Sequence, residues 1–372
     1  MKLFLRLAIF LLLVALAGGA WLWREARLFL DTPAGQAGKQ ELFDVPQGAR
    51  LGKIAEELEA RGLVTSARNF VLLARWKKQE NRLQAGRFAL EGGWRPEQVL
   101  EALVNGKPVL QRVTVPEGLT WWQTGRLLEA EGLLRFEDFR AAVTDPAFLR
   151  HYGIPFATAE GFLMPDTYLL KPPDAPAAPD AAETAEAVAA RKVRARAVAG
   201  RMIDNFWRKT AALWPDAGDR QGVAARPPAA KLKNWVTLAS IVEKETGIPA
   251  ERARVAGVYA NRLGRGMLLQ ADPTVIYGLG PGFDGNLRRV HLDDAANPYN
   301  TYQRPGLPPG PICSFGAAAL AAAIRPEQHG FLYFVARTDG GEHQFSATLQ
   351  EHNRAVRDYL RQRRAGSKRG TP

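Results

Sequence analysis

The chain has 372 residues, of which 46% are apolar, so it is long enough for two or three domains with cores of their own. Its 50 Lys and Arg residues outnumber 38 Asp and Glu residues, for a net charge of +12. This excess is scattered and no DNA- or RNA-binding motif accompanies it, which argues against nucleic acid as a partner.

Neither a cysteine nucleophile nor a metal site is predicted. Cys313 is the single cysteine, which excludes an intramolecular disulfide. It follows a Pro-Gly-Pro-Ile loop with no histidine nearby, which favours a small semi-buried side chain over a reactive thiolate. The five histidines are dispersed, without an H-x-x-x-H pair or a cysteine partner, so zinc ligands are lacking. We therefore expect no metal and no cofactor.

The N-terminus predicts a membrane anchor in residues 1–27. Lys2 and Arg6 precede an apolar run from Leu7 to Trp23, which ends in an aromatic belt and charged residues. A cleaved signal peptide is the alternative, because residues 15–20 are small, but the Trp-Leu-Trp that follows extends the apolar run past such a site. The prediction is a single uncleaved span with a cytoplasmic start, followed by a spacer at residues 28–40 and an extracytoplasmic remainder.

A repeat follows the spacer. Residues 45–64 and 115–134 share V-P-x-G and L-E-A-x-G-L at a constant offset. Each copy predicts a strand, a Pro-Gly turn, and an amphipathic helix ended by Gly62 or Gly132. The pattern resembles a small glycan-binding unit of LysM type, which we place at residues 41–110. The alternative is that both copies are merely structural α+β units.

The rest of the chain divides by composition. Residues 111–230 form a second α+β unit with Pro/Ala-rich stretches at 172–185 and 215–229 and a helix around 188–207 between them. Residues 231–361 are denser in aromatic and turn signals and form the predicted catalytic region. A basic tail covers residues 362–372. The predicted fold class is α+β.

One carboxylate stands out in the helical pattern that ends near Gly247. Leu238, Ile241, Val242 and Glu245 fall within about 60° of one line on the helix, whereas Glu243 lies about 160° from Glu245. We therefore expect Glu245 on the buried face and Glu243 away from it. Lost hydration and the negative end of the helix dipole raise the pKa of such a carboxyl toward the range of a general acid. The alternative is that Glu245 only pairs with a buried Arg or caps a backbone amide.

Three later loops combine polar and aromatic residues in the way that lines sugar-binding clefts. They cover residues 267–280, 297–302 and 306–312. The predicted substrate contacts in them are Gln270, Asp272, Asn300 and Tyr302.

Together these motifs closely resemble the YceG-like endolytic murein transglycosylases over about residues 40–361. The matching segments are E-G-F-L-M-P-D-T-Y at 160–168, A-S-I-V-E-K-E-T at 239–246, L-Q-A-D-P-T-V-I-Y at 269–277, Y-N-T-Y at 299–302, G-L-P-P-G at 306–310, F-L-Y-F-V at 331–335 and E-H-Q-F-S-A-T-L-Q-E-H-N at 342–353. The resemblance implies that the second Glu of E-K-E-T, Glu245, is the catalytic acid/base, that one N-terminal helix anchors the protein in the bacterial inner membrane, and that a LysM-like region precedes the catalytic domain.

The resemblance also implies a reaction. Glu245 would protonate the bond between N-acetylmuramic acid and N-acetylglucosamine in peptidoglycan, then accept the proton of the muramoyl C6 hydroxyl as a 1,6-anhydro ring closes. Such cleavage would end the elongation of nascent strands, and peptidoglycan synthases are candidate partners. Two alternatives stay open: a hydrolytic muramidase with Asp272 as second carboxylate, and a non-catalytic peptidoglycan-binding tether in which Glu245 is structural.

Overall fold

The computed structural model describes residues 2–46, 48–173, 184–215, 226–337 and 341–369. It confirms the α+β class: in this part of the chain, many helices accompany three two-stranded sheets, β1–β2, β3–β4 and β5–β6. In chain order the elements are α1 Lys2–Asp31, β1 Gln40–Val45, α2 Leu51–Ala60, α3 Ala67–Trp76, β2 Gly86–Glu91, α4 Pro96–Asn105, β3 Gln111–Val115, α5 Trp121–Ala130, α6 Phe136–Val143, α7 Pro146–His151, β4 Asp166–Leu170, α8 Ala185–Thr210, α9 Ala229–Glu245, α10 Arg252–Gly264, α11 Asp272–Leu279, α12 Arg289–Leu292, α13 Ala317–Ile324, β5 Tyr333–Ala336, β6 His343–Ser346 and α14 Leu349–Arg369.

The predicted membrane span falls in α1. In the part of the chain that the structure describes, no helix is long and apolar enough to cross a membrane. The side chains at positions 7–9, 15 and 22 of the predicted span lie outside the described residues. The anchor stays a prediction.

The chain forms two compact units. One combines residues 1–112 with 169–183, and the other combines 113–168 with 184–372. The predicted division between residues 230 and 231 is not a boundary between these units, because both sides of it belong to the second one. Parts of the two Pro/Ala-rich stretches, at 174–183 and 216–225, lie outside the described residues. The helix predicted between them is α8.

The first unit is built around an antiparallel pair of strands. β1 and β2 pair from Gln40 with Glu91 to Val45 with Gly86. Alternate residues of β2 point inward, and the helices α2, α3 and α4 cover this face with their apolar sides. The fully buried side chains of this core include Phe43, Leu58, Phe70, Leu90, Val99 and Leu103.

The second copy of the repeat begins the second unit with the same local structure. β3 ends at Val115, a turn follows, and α5 runs for as many residues as α2. Gly62 and Gly132 have φ of 67° and 68°, the left-handed conformation in which only glycine carries no Cβ penalty. Both predicted strand–turn–helix copies are thus present.

Helix α9 lies at the centre of the second unit. It packs against α10, α11 and α13, and every residue from Val236 to Val242 is buried. The hydroxyl of Ser240 accepts the N–H of Ile312 at 3.0 Å, and the Sγ of Cys313 lies 3.3 Å from the Ser240 carbonyl. Cys313 was expected to be semi-buried, but it is fully buried, because the loop that carries it packs directly on α9. Burial raises the pKa of its thiol.

Candidate active site

Glu245 is the last residue of α9, and its carboxyl is half-buried. Burial raises the pKa of Glu245 to about 7, and the charge of Asp272 acts in the same direction, whereas a hydrogen bond from Tyr259 and the positive charges of His343 and Arg262 oppose the shift. A carboxyl with this pKa holds and releases its proton near neutral pH, as a general acid/base must.

Tyr259 holds the Glu245 carboxyl in place. It lies on α10, is 2% exposed, and its hydroxyl donates to Oε1 of Glu245 at 2.9 Å. Its ring packs edge-on against Phe334 of β5. Because the ring cannot move without disturbing this core, the hydroxyl fixes the orientation of the carboxyl. The sequence prediction missed this residue, since a Tyr in an apolar helix is most often part of a core.

Asp272 and Tyr302 form a second polar pair. Asp272 begins α11 and is exposed, and Oδ1 of its carboxylate accepts the hydroxyl proton of half-buried Tyr302 at 2.6 Å. Burial and the hydrogen bond to Asp272 raise the pKa of Tyr302. The structure therefore brings two of the predicted substrate contacts together, with the charge of Asp272 acting on Glu245.

Gln270 lies on the same loop in an unusual backbone conformation. Its side chain is exposed and its φ is 49°, which is rare for a residue with a Cβ. Its N–H donates to the Thr301 carbonyl at 3.1 Å, and the next N–H, of Ala271, donates to the Thr301 hydroxyl at 3.0 Å. These bonds hold the strained backbone of Gln270 in place, and its exposed side-chain amide is available to a ligand.

Asn300 does something other than what was predicted. It is fully buried, and its amide nitrogen lies within 3.2 Å of the carbonyls of His291, Leu292 and Asp294. Its Oδ1 accepts the N–H of Tyr302 at 3.0 Å. With its amide occupied by the backbone, Asn300 organises the loop that carries Tyr302 and does not itself present a group to a sugar.

Glu243 was expected to lie away from the buried face of the helix, but its side chain is enclosed as well. Its side chain is 7% exposed, accepts the N–H of Gly316 at 3.2 Å and lies 3.5 Å from Arg252. Burial and the nearby Glu117 raise its pKa. The helical pattern assumed one buried face, but α9 has neighbours on several sides, so Glu243 and Glu245 are both enclosed on different faces.

The turn of the second repeat copy is attached to the end of α9. Lys244 donates from Nζ to the carbonyl of Gly118 at 3.2 Å. The N–H of Gly118 donates to Ser314, and the N–H of Ser314 donates to Leu119, at 2.8 and 2.7 Å. In the E-K-E motif, Glu243 and Lys244 therefore contact surrounding backbone, whereas the carboxyl of Glu245 is bound by the side chain of Tyr259.

A further buried carboxyl, Glu160, was not predicted as a site residue. It is 1% exposed, and Oε2 accepts the N–H of Trp121 at 3.0 Å. Burial raises the pKa of Glu160 to about 8. Half-buried aromatic rings lie nearby, with the centroid of Tyr277 4.9 Å from Trp122 and 4.8 Å from Tyr299. The E-G-F-L-M-P-D-T-Y motif was the available signal.

Another carboxyl, that of Glu251, pairs with His343 beside the site. Oε2 of Glu251 lies 2.6 Å from Nδ1 of His343. The pair was also missed, because its members are far apart in sequence and neither stands out by spacing. In the described ranges, no group of three or more His, Cys, Asp or Glu side chains could hold a metal ion. The site offers acid/base groups and hydrogen bonds.

Comparison with known proteins agrees with this arrangement. A model of the YceG-like family matches residues 43–358. The endolytic murein transglycosylase of Bacillus subtilis is 26% identical over 360 residues, which cover 92% of this chain and 91% of the relative. That of Streptococcus pneumoniae R6 is 27% identical over 85% of this chain, which spans 58% of that longer relative. The crystal structure of a YceG-like protein from Listeria monocytogenes has a TM-score of 0.51 and 27% identity, covering 85% of this chain and 99% of the other. The chain belongs to the YceG-like family.

Proposed function

We propose that this protein is an endolytic lytic transglycosylase that cleaves the bond between N-acetylmuramic acid and N-acetylglucosamine within peptidoglycan strands and leaves 1,6-anhydro-muramoyl ends. The observation that carries the proposal is the half-buried Glu245, with its pKa near 7 and its carboxyl fixed by Tyr259. The activity named for the Bacillus and Streptococcus relatives supports it.

Glu245 would act twice in the reaction. In its protonated form it donates a proton to the glycosidic oxygen, and the bond from that oxygen to C1 of the muramoyl residue breaks. The resulting carboxylate, which Tyr259 stabilises by its hydrogen bond, then accepts the proton of the C6 hydroxyl as O6 bonds to C1. Glu245 returns to its protonated state and no water is consumed, so one carboxyl suffices.

Asp272 would orient the substrate in this scheme. Its carboxylate is already hydrogen-bonded to Tyr302 and lies at the exposed start of α11. Its negative charge helps to keep Glu245 protonated before the reaction. The hydrolytic alternative would instead make Asp272 activate a water, and the two mechanisms give different products.

The experiment that tests the proposal is digestion of purified glycan strands in ¹⁸O-water, with mass spectrometry of the new ends. We expect anhydro-muramoyl ends without label, because the attacking oxygen comes from the sugar. Glu245→Gln should release no product while remaining folded, and Asp272→Asn should slow the reaction without changing the product. Label at C1 of the new ends would show hydrolysis and would identify the protein as a muramidase. Normal cleavage by Glu245→Gln would exclude Glu245 as the acid.

The cellular setting is part of the same proposal. We place the protein in the bacterial inner membrane, with a single span at residues 7–23, the catalytic unit outside the cytoplasm, and the strand-and-helix unit at 41–110 as a LysM-like glycan-binding region. Cleavage there would end the elongation of nascent strands, with peptidoglycan synthases as candidate partners. Inner-membrane fractionation, and a reporter fused after residue 372 that is active only outside the cytoplasm, test this. A soluble mature form that begins near Trp21 would contradict it.

A further inference from the structure

Glu251 accepts hydrogen bonds from two parts of the second unit. It precedes α10 and is 7% exposed. Its Oε1 accepts the backbone N–H of His343 at 2.8 Å, and its Oε2 lies 2.6 Å from the Nδ1 of the same residue. The hydroxyl of Thr246 donates to Oε2 at 3.4 Å. Thr246 directly follows Glu245, so one carboxylate joins the end of the catalytic helix to the start of β6.

These bonds determine which nitrogen of His343 can gain or lose a proton. Burial disfavours the charged form of Glu251, but the hydrogen bonds and the charge of His343 hold the pKa of Glu251 below its usual value. A carboxylate can only accept, so Nδ1 of His343 is the donor. Within the described residues, Nε2 of His343 has no hydrogen-bond partner. The imidazole therefore becomes positively charged by taking a proton at Nε2.

We propose that the Glu251–His343 pair is a positioning device for Glu245: it fixes the chain next to the catalytic carboxyl and holds near it an imidazole whose positive charge shifts the pH range of catalysis. This inference rests on the proposed function, and it adds two residues that act through Glu245 rather than on the sugar.

The charge of His343 is one of several that act on Glu245. The groups that face the carboxyl come from four parts of the second unit, and their effects differ in sign. They are Tyr259 and Arg262 on α10, Asp272 at the start of α11, Tyr302 in the loop after α12, and His343 on β6. Asp272 raises the pKa of Glu245, whereas His343 and Arg262 lower it. The guanidinium of Arg262 donates hydrogen bonds to the carbonyls of Leu269 and Leu332. His343 is the one of the two cations that is bound to Glu251.

The test is the pH dependence of kcat/KM for glycan cleavage. In the native protein, kcat/KM falls as pH rises through about 7, because Glu245 loses its proton. His343→Gln keeps a donor for Glu251 but has no charge, so ionised Glu245 is less stable and the midpoint moves up by about one pH unit. His343→Lys restores a positive charge, and its midpoint stays at or below the native one. His352→Gln, in which a histidine stacked on Tyr333 is replaced, is the matched control and keeps the native midpoint.

The outcomes separate this inference from the proposed function. A merely structural role would lower kcat or the melting temperature in His343→Gln and leave the midpoint unmoved, and that result overturns the inference. His343→Asn, a second neutral variant with the same expected shift, decides the matter where His343→Gln does not fold. Absence of anhydro product from the native protein at every pH would instead refute the proposed function itself.

Discussion

The two copies of the repeat can be compared residue by residue. In both, a strand ends in Val-Pro, a glycine with positive φ makes the turn, and a helix of equal length follows. Leu58 and Leu128 are both fully buried at matching positions. Local sequence thus produces the same structure twice.

The copies differ in what surrounds their turns. The second copy has Glu117 and Trp121 where the sequence of the first has Gln47 and Leu51. Glu117 lies near Arg252, and the N–H of Trp121 donates to Glu160. The comparison teaches that one local motif can form part of a small α+β core or part of the wall of the candidate active site, depending on a few side chains at its turn.

The largest expected effect is on the pH dependence of stability and concerns Glu160, the buried carboxyl that accepts the N–H of Trp121 at the start of α5. The pKa of Glu160 is raised to about 8 by burial, so the folded state binds a proton that the unfolded state releases above about pH 4.5. Its contribution to stability is complete below that pH and is lost as pH rises through about 8. We expect Glu160→Gln to remove this loss, so that at pH 9 the variant gains up to about 5 kcal/mol relative to the native protein. Denaturant unfolding from pH 5 to 9 measures this.

The matched control for Glu160 is exposed Glu56 on the helix of the first copy, α2. Glu56→Gln should leave the pH dependence unchanged. Parallel stability curves for Glu160→Gln and the native protein would show that Glu160 is not protonated in the folded state.

A second difference is that the turn of the second copy lies near α9: Arg252 is close to both Glu117 of that turn and Glu243 of α9. Since Arg252 would lose one of its two nearby carboxylates, Glu243→Gln should reduce the free energy of unfolding by about 2 kcal/mol and lower cleavage severalfold. The control is Asp44→Asn at the end of β1, which breaks a more exposed pair with Arg87 and should cost under about 1 kcal/mol without affecting activity. Equal losses of activity in Glu243→Gln and Asp44→Asn would show that the contact of Glu243 with Arg252 has no special role in cleavage.

The turn glycines offer a closer test. Gly48 and Gly118 have φ of 73° and 80°, so alanine at either position should cost about 1 kcal/mol of stability. A Cβ at Gly118 would meet Nζ of Lys244 at 3.7 Å, whereas none of the described atoms lies within 4 Å of one at Gly48. We expect only Gly118→Ala to reduce kcat, since its turn is bonded to the end of α9. Cleavage assays beside thermal unfolding decide, and a similar kcat for both variants would refute the functional difference.

The smallest effect concerns the helix caps. Thr120 accepts the N–H of Gln123 at 3.3 Å in a capping box, while Arg50 of the first copy makes no side-chain cap. Thr120→Ala should destabilise the protein by about 1 kcal/mol, and Arg50→Ser should stabilise it by about 0.5 kcal/mol. Thermal unfolding of the two variants measures both signs, and a loss of stability in Arg50→Ser would show that α2 is satisfied in another way.

The sequence by itself determined the local features. The repeat gave two matching strand–turn–helix units, because glycine turns and helical periodicity depend on neighbouring residues only. The same periodicity placed Glu245 at the end of α9 among buried residues, and the order of the motifs identified the family. These inferences needed no knowledge of how distant segments meet.

The tertiary structure decided what each polar group touches. Helical periodicity predicts a single buried face, so it predicted that Glu243 is not buried. The side chain of Glu243 is buried because α9 has neighbours on several sides. Asn300 was predicted to contact the sugar, but its side-chain amide donates to backbone carbonyls of its own loop. Glu251 and His343 are 92 residues apart, and only packing of β6 against the start of α10 brings them together. Hydrogen bonds and charges act over a few ångströms of space, and distance along the chain does not reveal which groups come that close.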